Sequence, residues 1–60
     1  MPNKKIKSAM IFAGVSINAL ADYLRKSEQE TVELLDTELD IMQNYRVMLA
    51  VAELARRERA

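Results

Sequence analysis

The chain contains no cysteine and no histidine among its 60 residues. Without cysteine there is no disulfide, and without histidine zinc and most transition metals lose their usual ligands. Nucleophilic sites of the Ser-His-Asp and Cys-His kinds cannot be built from this composition. A phosphate-binding glycine loop is also missing, because Gly14 is the only glycine. We therefore expect no enzymatic activity, no cofactor and no metal.

Proline and glycine are nearly absent. Pro2 and Gly14 are the only examples, so residues 15–60 contain neither of the residues that most strongly interrupt regular structure. A β protein needs turns at short intervals, which this stretch does not supply. Residues with high helix propensity, such as Ala, Leu, Glu, Arg and Met, are abundant instead. The composition predicts an all-α fold.

Long apolar runs are also lacking. The longest uncharged stretch, residues 8–21, has 14 residues, whereas a membrane helix needs about 20 apolar ones. The lysines before this stretch are not followed by a convincing small-residue cleavage site, so we expect no signal peptide. These features favour a cytoplasmic protein.

The length allows one domain, residues 1–60, with a small core. A chain this short buries only about 60% of the surface that its unfolded form exposes, so its stability is marginal. Half of the residues are apolar. With neither a disulfide nor a metal, we expect tight helix packing or a second subunit to supply stability.

Apolar residues at helical spacing predict a first helix over residues 4–13 and a second over residues 17–25. Gly14 suits the left-handed position that follows a helix. Ser16 is a suitable N-cap for the second helix. The expected inward residues are Ile6, Ala9, Met10 and Ala13 in the first helix, and Ile17, Leu20, Ala21 and Leu24 in the second.

Two capping patterns predict two more helices. Ser27 and Glu30 form a capping box that opens a helix over residues 28–36, with Val32 and Leu35 packing inward. Thr37 and Asp40 repeat the pattern and predict a long last helix over residues 38–58. Because no proline or glycine separates these segments, a competing arrangement joins residues 16–59 into one or two long helices.

The last helix is apolar on two faces. We expect the broader stripe to pack inward; it comprises Ile41, Met42, Tyr45, Met48, Leu49, Ala52 and Ala55. A helix that is apolar nearly all round is normally buried nearly all round, and one small domain cannot cover both faces. We therefore predict a homodimer through the second face, at Val47, Ala50, Val51, Leu54 and Ala55.

The sequence of residues 15–24 is VSINALADYL, and Ser27, Glu28 and Gln29 follow. Over about residues 6–35 this pattern resembles the helix-turn-helix of the Cro and phage-repressor family. In that family a helix with "LA" and a later leucine precedes a short turn, often with a glycine, where this chain has Arg25. A recognition helix that often starts with serine and glutamine comes next.

The resemblance implies a DNA-binding transcriptional regulator that acts as a dimer and presents residues 28–36 to the major groove. Under this hypothesis the DNA contacts come from the turn, the start of the recognition helix and the basic N-terminus. The candidate residues are Lys4, Lys5, Lys7, Arg25, Lys26, Ser27 and Gln29.

The distribution of charge favours a second hypothesis. Residues 27–44 contain six acidic side chains and no basic one: Glu28, Glu30, Glu33, Asp36, Glu38 and Asp40. The net charge is zero, whereas nucleic-acid-binding domains tend to be basic. The alternative is a protein-binding regulator, of the antirepressor type, that presents this acidic face to a basic partner and does not bind DNA.

Overall fold

The computed structural model describes residues 2–59, and side chains as far as Arg57. Four helices and no strand occur in this part of the chain: α1 (Lys4–Ala13), α2 (Ile17–Leu24), α3 (Glu28–Leu35) and α4 (Ile41–Arg59). The predicted all-α class and the number of helices are confirmed. Residues 1 and 60 of the predicted domain lie outside the described residues.

The ends of the first three helices follow from their capping residues. Gly14 ends α1 with φ 72°, a left-handed conformation that costs glycine little. Ser16 opens α2, where its hydroxyl accepts a hydrogen bond of 3.0 Å from the Ala19 N–H. At α3 the Ser27 hydroxyl accepts from the Glu30 N–H and the Glu30 carboxylate accepts from the Ser27 N–H, both at 3.0 Å. The predicted capping box is therefore present.

The last helix begins three residues later than predicted. The Thr37 hydroxyl does not cap it; that hydroxyl donates a 2.8 Å hydrogen bond to the Glu33 carbonyl at the end of α3. Asp40 is the capping residue, because its carboxylate accepts from the Gln43 N–H at 2.8 Å. Residues 37–40 thus form a non-helical connection, and the arrangement with one or two long helices is wrong.

The core lies where α4 packs against α1 and α2, while α3 packs against α2. Ile6 and Leu20 are completely buried at its centre. The predicted inward residues of α1 and α2 are all buried or partly buried against this core. None of the four helices, within residues 2–59, combines the length and apolar character needed to cross a bilayer.

The two faces of α4 are the reverse of the prediction. Val47, Ala50, Val51 and Leu54 are 1–9% exposed in the core, and Ala55 packs partly buried against them, so these residues are not a free dimer surface. Most of the stripe that was predicted to pack inward points outward: Ile41 is 87% exposed, Met42 and Tyr45 are each 60% exposed, Leu49 is 51% exposed, and Ala52 is exposed as well. Met48 is the exception besides Ala55, because it is partly buried against the core.

A similar exchange occurs on α3. Thr31 is completely buried, whereas Val32, expected inside, is 44% exposed. The Thr31 hydroxyl is satisfied because it donates a 2.9 Å hydrogen bond to the Ser27 carbonyl. Because its hydroxyl makes this hydrogen bond, burying Thr31 costs little free energy, and a polar residue can therefore occupy this position in the core.

Candidate nucleic-acid interface on the third helix

The connection between α2 and α3 is a three-residue turn, Arg25, Lys26 and Ser27. Arg25 has φ 58° and ψ 46°, in the left-handed region that favours glycine. This conformation allows the Lys26 N–H to donate to the Ala21 carbonyl at 2.9 Å and closes α2. Helix-turn-helix motifs join their helices by three to four residues, often including a glycine. The three-residue turn falls within this range of lengths, and Arg25 adopts a conformation that glycine adopts more readily.

The outer face of α3 is open to solvent. Thr31 and Leu35 anchor the helix to the core, and Leu34 is partly buried. The remaining positions are exposed, and they present an amide, a branched apolar side chain and carboxylates: Glu28, Gln29, Glu30, Val32 and Glu33. Gln29 is the exposed side chain on this helix that has both hydrogen-bond donors and acceptors.

Two of the acidic residues near α3 have partners within the fold. The hydrogen bond that the Glu30 carboxylate accepts from the Ser27 backbone N–H, together with the Ser27 hydroxyl beside it, holds the pKa of Glu30 below its ordinary value. Asp36 accepts a 2.9 Å ion-paired hydrogen bond from the Lys7 ammonium. Among the described residues, Glu28 and Glu33 form no ion pair or side-chain hydrogen bond. The acidic character of this face is therefore partly a result of capping and helix docking.

Basic residues lie at both ends of α3. Arg25 and Lys26 immediately precede it. At the other end, the Asn3 amide donates to the carbonyls of Leu35 at 2.9 Å and Thr37 at 2.7 Å. These bonds fix the start of α1 beside the end of α3. Lys7 is thereby brought to the C-terminal end of α3, where it pairs with Asp36, and Lys4 and Lys5 lie beside Glu38 in the connection that follows α3.

The six acidic residues of the alternative hypothesis do not form one uninterrupted face. Glu28 and Glu33 lie on α3, whereas Glu38 and Asp40 belong to the connection that follows it. Asp40 caps α4, and Glu38 lines a surface hollow together with Lys4 and Lys5. Lysines therefore adjoin the second half of the predicted acidic surface.

Sequence reasoning missed an apolar region beside α3. A groove of about 340 Å³ lies between α1 and α3, lined by Met10, Ile11, Val15, Ile17, Val32 and Leu35 with Lys7 and Asp36 at its edge. Ile11 is 82% exposed and the adjacent Phe12 is 96% exposed. Both residues are apolar but fall outside the predicted inward stripe of α1. Their position off that stripe was the feature of the sequence that could have indicated an exposed apolar region.

Within residues 2–59, no three carboxylates come together in a way that could hold a metal ion. Comparisons of the chain with protein-family models, with curated proteins and with solved structures find no match. The candidate interface is accordingly defined by the geometry and charge of α3 and its two flanks.

Proposed function

We propose that the protein is a DNA-binding regulator that inserts α3 into the major groove. The observation that carries the proposal is the position of Arg25 and Lys26 just before this helix and of the α1 lysines near its end and the connection that follows. An eight-residue helix is about 12 Å long, and the major groove of B-DNA is about 12 Å wide. A helix of this length fits within the groove, and the cations near its two ends can then contact phosphates of the DNA backbone.

The exposed side chains of α3 suit base recognition. The Gln29 carboxamide has the donor and acceptor needed for a bidentate contact with adenine, and the Glu28 carboxylate can accept from the amino group of cytosine. Ser27 lies at the start of the helix, where its hydroxyl can also donate to a phosphate. Contacts to base edges provide sequence discrimination, while the flanking cations provide position and affinity.

The same geometry limits the electrostatic part of binding. Lys7 is paired with Asp36, which leaves Lys4, Lys5, Arg25 and Lys26 for phosphates. Four phosphate contacts give a slope of log K against log salt of about −3.6 for each chain. Glu28 and Glu33 repel phosphates, so we expect weak non-specific binding and a strong dependence on the correct sequence.

The experiment is fluorescence anisotropy with a pooled random DNA duplex at low and moderate salt. The variant Lys26→Gln should weaken binding to all sequences and reduce the salt slope by about 0.9, the value for one lost phosphate. Arg57→Gln is the matched control, because Arg57 lies on α4, stacks on Tyr23 and is not among the candidate contacts; this variant should leave the slope unchanged. No binding at protein concentrations of about 100 μM, the weak end of non-specific binding, would refute the proposal.

A second candidate function is binding to a basic protein, without DNA. It is favoured by Val32, which is half-exposed beside Glu28 and Glu33 and leads into the apolar groove next to Ile11. A surface that combines carboxylates with apolar side chains suits a protein partner better than a phosphate backbone.

The double variant Glu28→Gln/Glu33→Gln separates the two candidates. If α3 binds DNA, removing two negative charges should strengthen binding to the random duplex. If α3 binds a basic protein, DNA binding should remain absent, and association with a basic model peptide should become slower and weaker. Arg57→Gln again serves as a charge control, at a residue that is not on α3 and not among the candidate contacts.

A further inference from the structure

The outward face of α4 has the spacing of a coiled-coil seam. Met42, Tyr45, Leu49 and Ala52 are all exposed, and they follow one another at intervals of three, four and three residues. This is the spacing of the a and d positions of a heptad repeat. Val47 and Leu54 occupy the opposite face and are buried in the core, so the seam is free in the monomer.

We propose that this seam pairs with the same seam of a second copy, with the two α4 helices antiparallel. The seam is flanked on one side by Arg46 and Glu53, which are seven residues apart and so lie at equivalent positions of successive heptads. In an antiparallel pair such positions of one helix adjoin those of the other. Each Arg46 then lies beside the Glu53 of the other copy, on both sides of the twofold axis.

The same register also pairs other residues of the seam. With Arg46 beside Glu53, Leu49 faces Ala52 of the other copy, and Tyr45 faces its Arg56. The first contact is apolar, and the second is of the cation–π kind. Arg56 already pairs with Glu53 in its own chain, so the ion pairs between copies extend an existing network.

The competing arrangements are less favourable. Moving the antiparallel pair by one heptad brings Arg46 against Arg46 of the other copy, and like charges in contact destabilise a pair. A parallel pair places Arg46 and Glu53 beside apolar residues of the partner, Ile41 and Met48. Charge complementarity therefore selects the antiparallel register, independently of whether the protein binds DNA.

The size of the seam sets the expected affinity. The 19 residues of α4 span about 28 Å, and about one residue in three faces outward. Specific interfaces of standard size contain about 20–30 residues on each side, so this one is small. We expect a dimer with a dissociation constant on the order of micromolar, which sedimentation equilibrium can measure.

The first test compares Leu49→Lys with Ile11→Lys, which places the same charge at an exposed apolar residue outside the seam. Over protein concentrations from about 5 μM to about 1 mM, the wild type and Ile11→Lys should dimerise, and Leu49→Lys should remain monomeric with unchanged helical circular dichroism. A monomeric wild type, or a dimer lost in Ile11→Lys and retained in Leu49→Lys, would overturn the proposal.

The second test addresses orientation through charge reversal. Arg46→Glu alone brings two carboxylates together across the seam, and Glu53→Arg alone brings two guanidinium groups together, so each homodimer should weaken by about tenfold or more. An equimolar mixture of the two variants should recover association to within about threefold of the wild type, because every cross-seam pair is then complementary. No recovery in the mixture, with both variants folded, would rule out the antiparallel register.

Discussion

The left-handed conformation of Arg25 gives the sharpest prediction for stability. An L-residue other than glycine pays about 1–2 kcal/mol for this conformation. Glycine avoids that cost, but it also gives the unfolded chain more conformational freedom. This freedom reduces the gain in stability by about 0.4–1 kcal/mol. We therefore expect Arg25→Gly to be about 1 kcal/mol more stable than Arg25→Ala. Because both variants lack the arginine side chain and its charge, the difference between them reports the backbone conformation at residue 25.

Gly14 provides a matched position with the opposite native residue. It has φ 72°, and a Cβ added there would meet no atom within 4 Å, so Gly14→Ala changes backbone strain without a steric clash. We expect this variant to lose about 1 kcal/mol of unfolding free energy, by the same balance of strain and chain freedom.

Both effects can be measured by urea unfolding followed by circular dichroism, with thermal unfolding as a second measure. In a domain of this size a change of about 1 kcal/mol shifts Tm by about 4–8 °C. Equal stability of Arg25→Gly and Arg25→Ala, with a normal loss in Gly14→Ala, would show that residue 25 does not carry the strain and that the turn has another geometry.

Three further variants test the core and the capping box. Leu20→Ala removes a completely buried side chain and should cost about 2–5 kcal/mol, enough to unfold most of a domain this small at about 25 °C; helical circular dichroism would reveal the loss. Ser27→Ala should cost about 1 kcal/mol in urea unfolding, because α3 loses its cap. The pKa of Glu30 is lowered in the folded state, so its stabilising contribution is present above the ordinary value of 4.5 and is lost as the pH falls through the folded pKa. In the Glu30→Gln variant the side chain can still cap the helix but no longer titrates. Its free energy of unfolding should therefore decrease less on acidification than that of the wild type.

The first three helices could be predicted almost to the residue because local signals fix their ends. Gly14, Ser16 and Ser27 each act within one turn of helix, through backbone conformation or through a hydrogen bond three residues away. The start of α4 was missed because Thr37 and Asp40 both fit a capping pattern, and residue spacing alone does not decide between them. Thr37 bonds backward to α3, which leaves Asp40 as the cap.

The candidate site was only partly accessible to sequence reasoning. The turn residues and Gln29 follow from local spacing, and the structure places them at the start of the exposed α3. The Lys7–Asp36 pair joins residues 29 positions apart, and the Asn3 bonds to the end of α3 span more than 30. No periodicity within one helix reveals such contacts. They change the interpretation of the acidic run, because part of it stabilises the fold.

The two faces of α4 show where hydrophobic periodicity fails. Both Val47 and Leu49 lie on apolar stripes, and a stripe does not reveal which side meets the core. The structure gives Val47 3% exposure and Leu49 51% exposure, although leucine is the larger residue. Val47→Lys should therefore bury an unpaired charge and unfold the domain, since even a polar group buried without a partner costs about 2 kcal/mol or more. Leu49→Lys should keep the native helical signal and a cooperative urea transition at low protein concentration, where dimerisation contributes nothing. Equal loss of structure in the two variants would contradict this assignment of faces, and the outward seam with it.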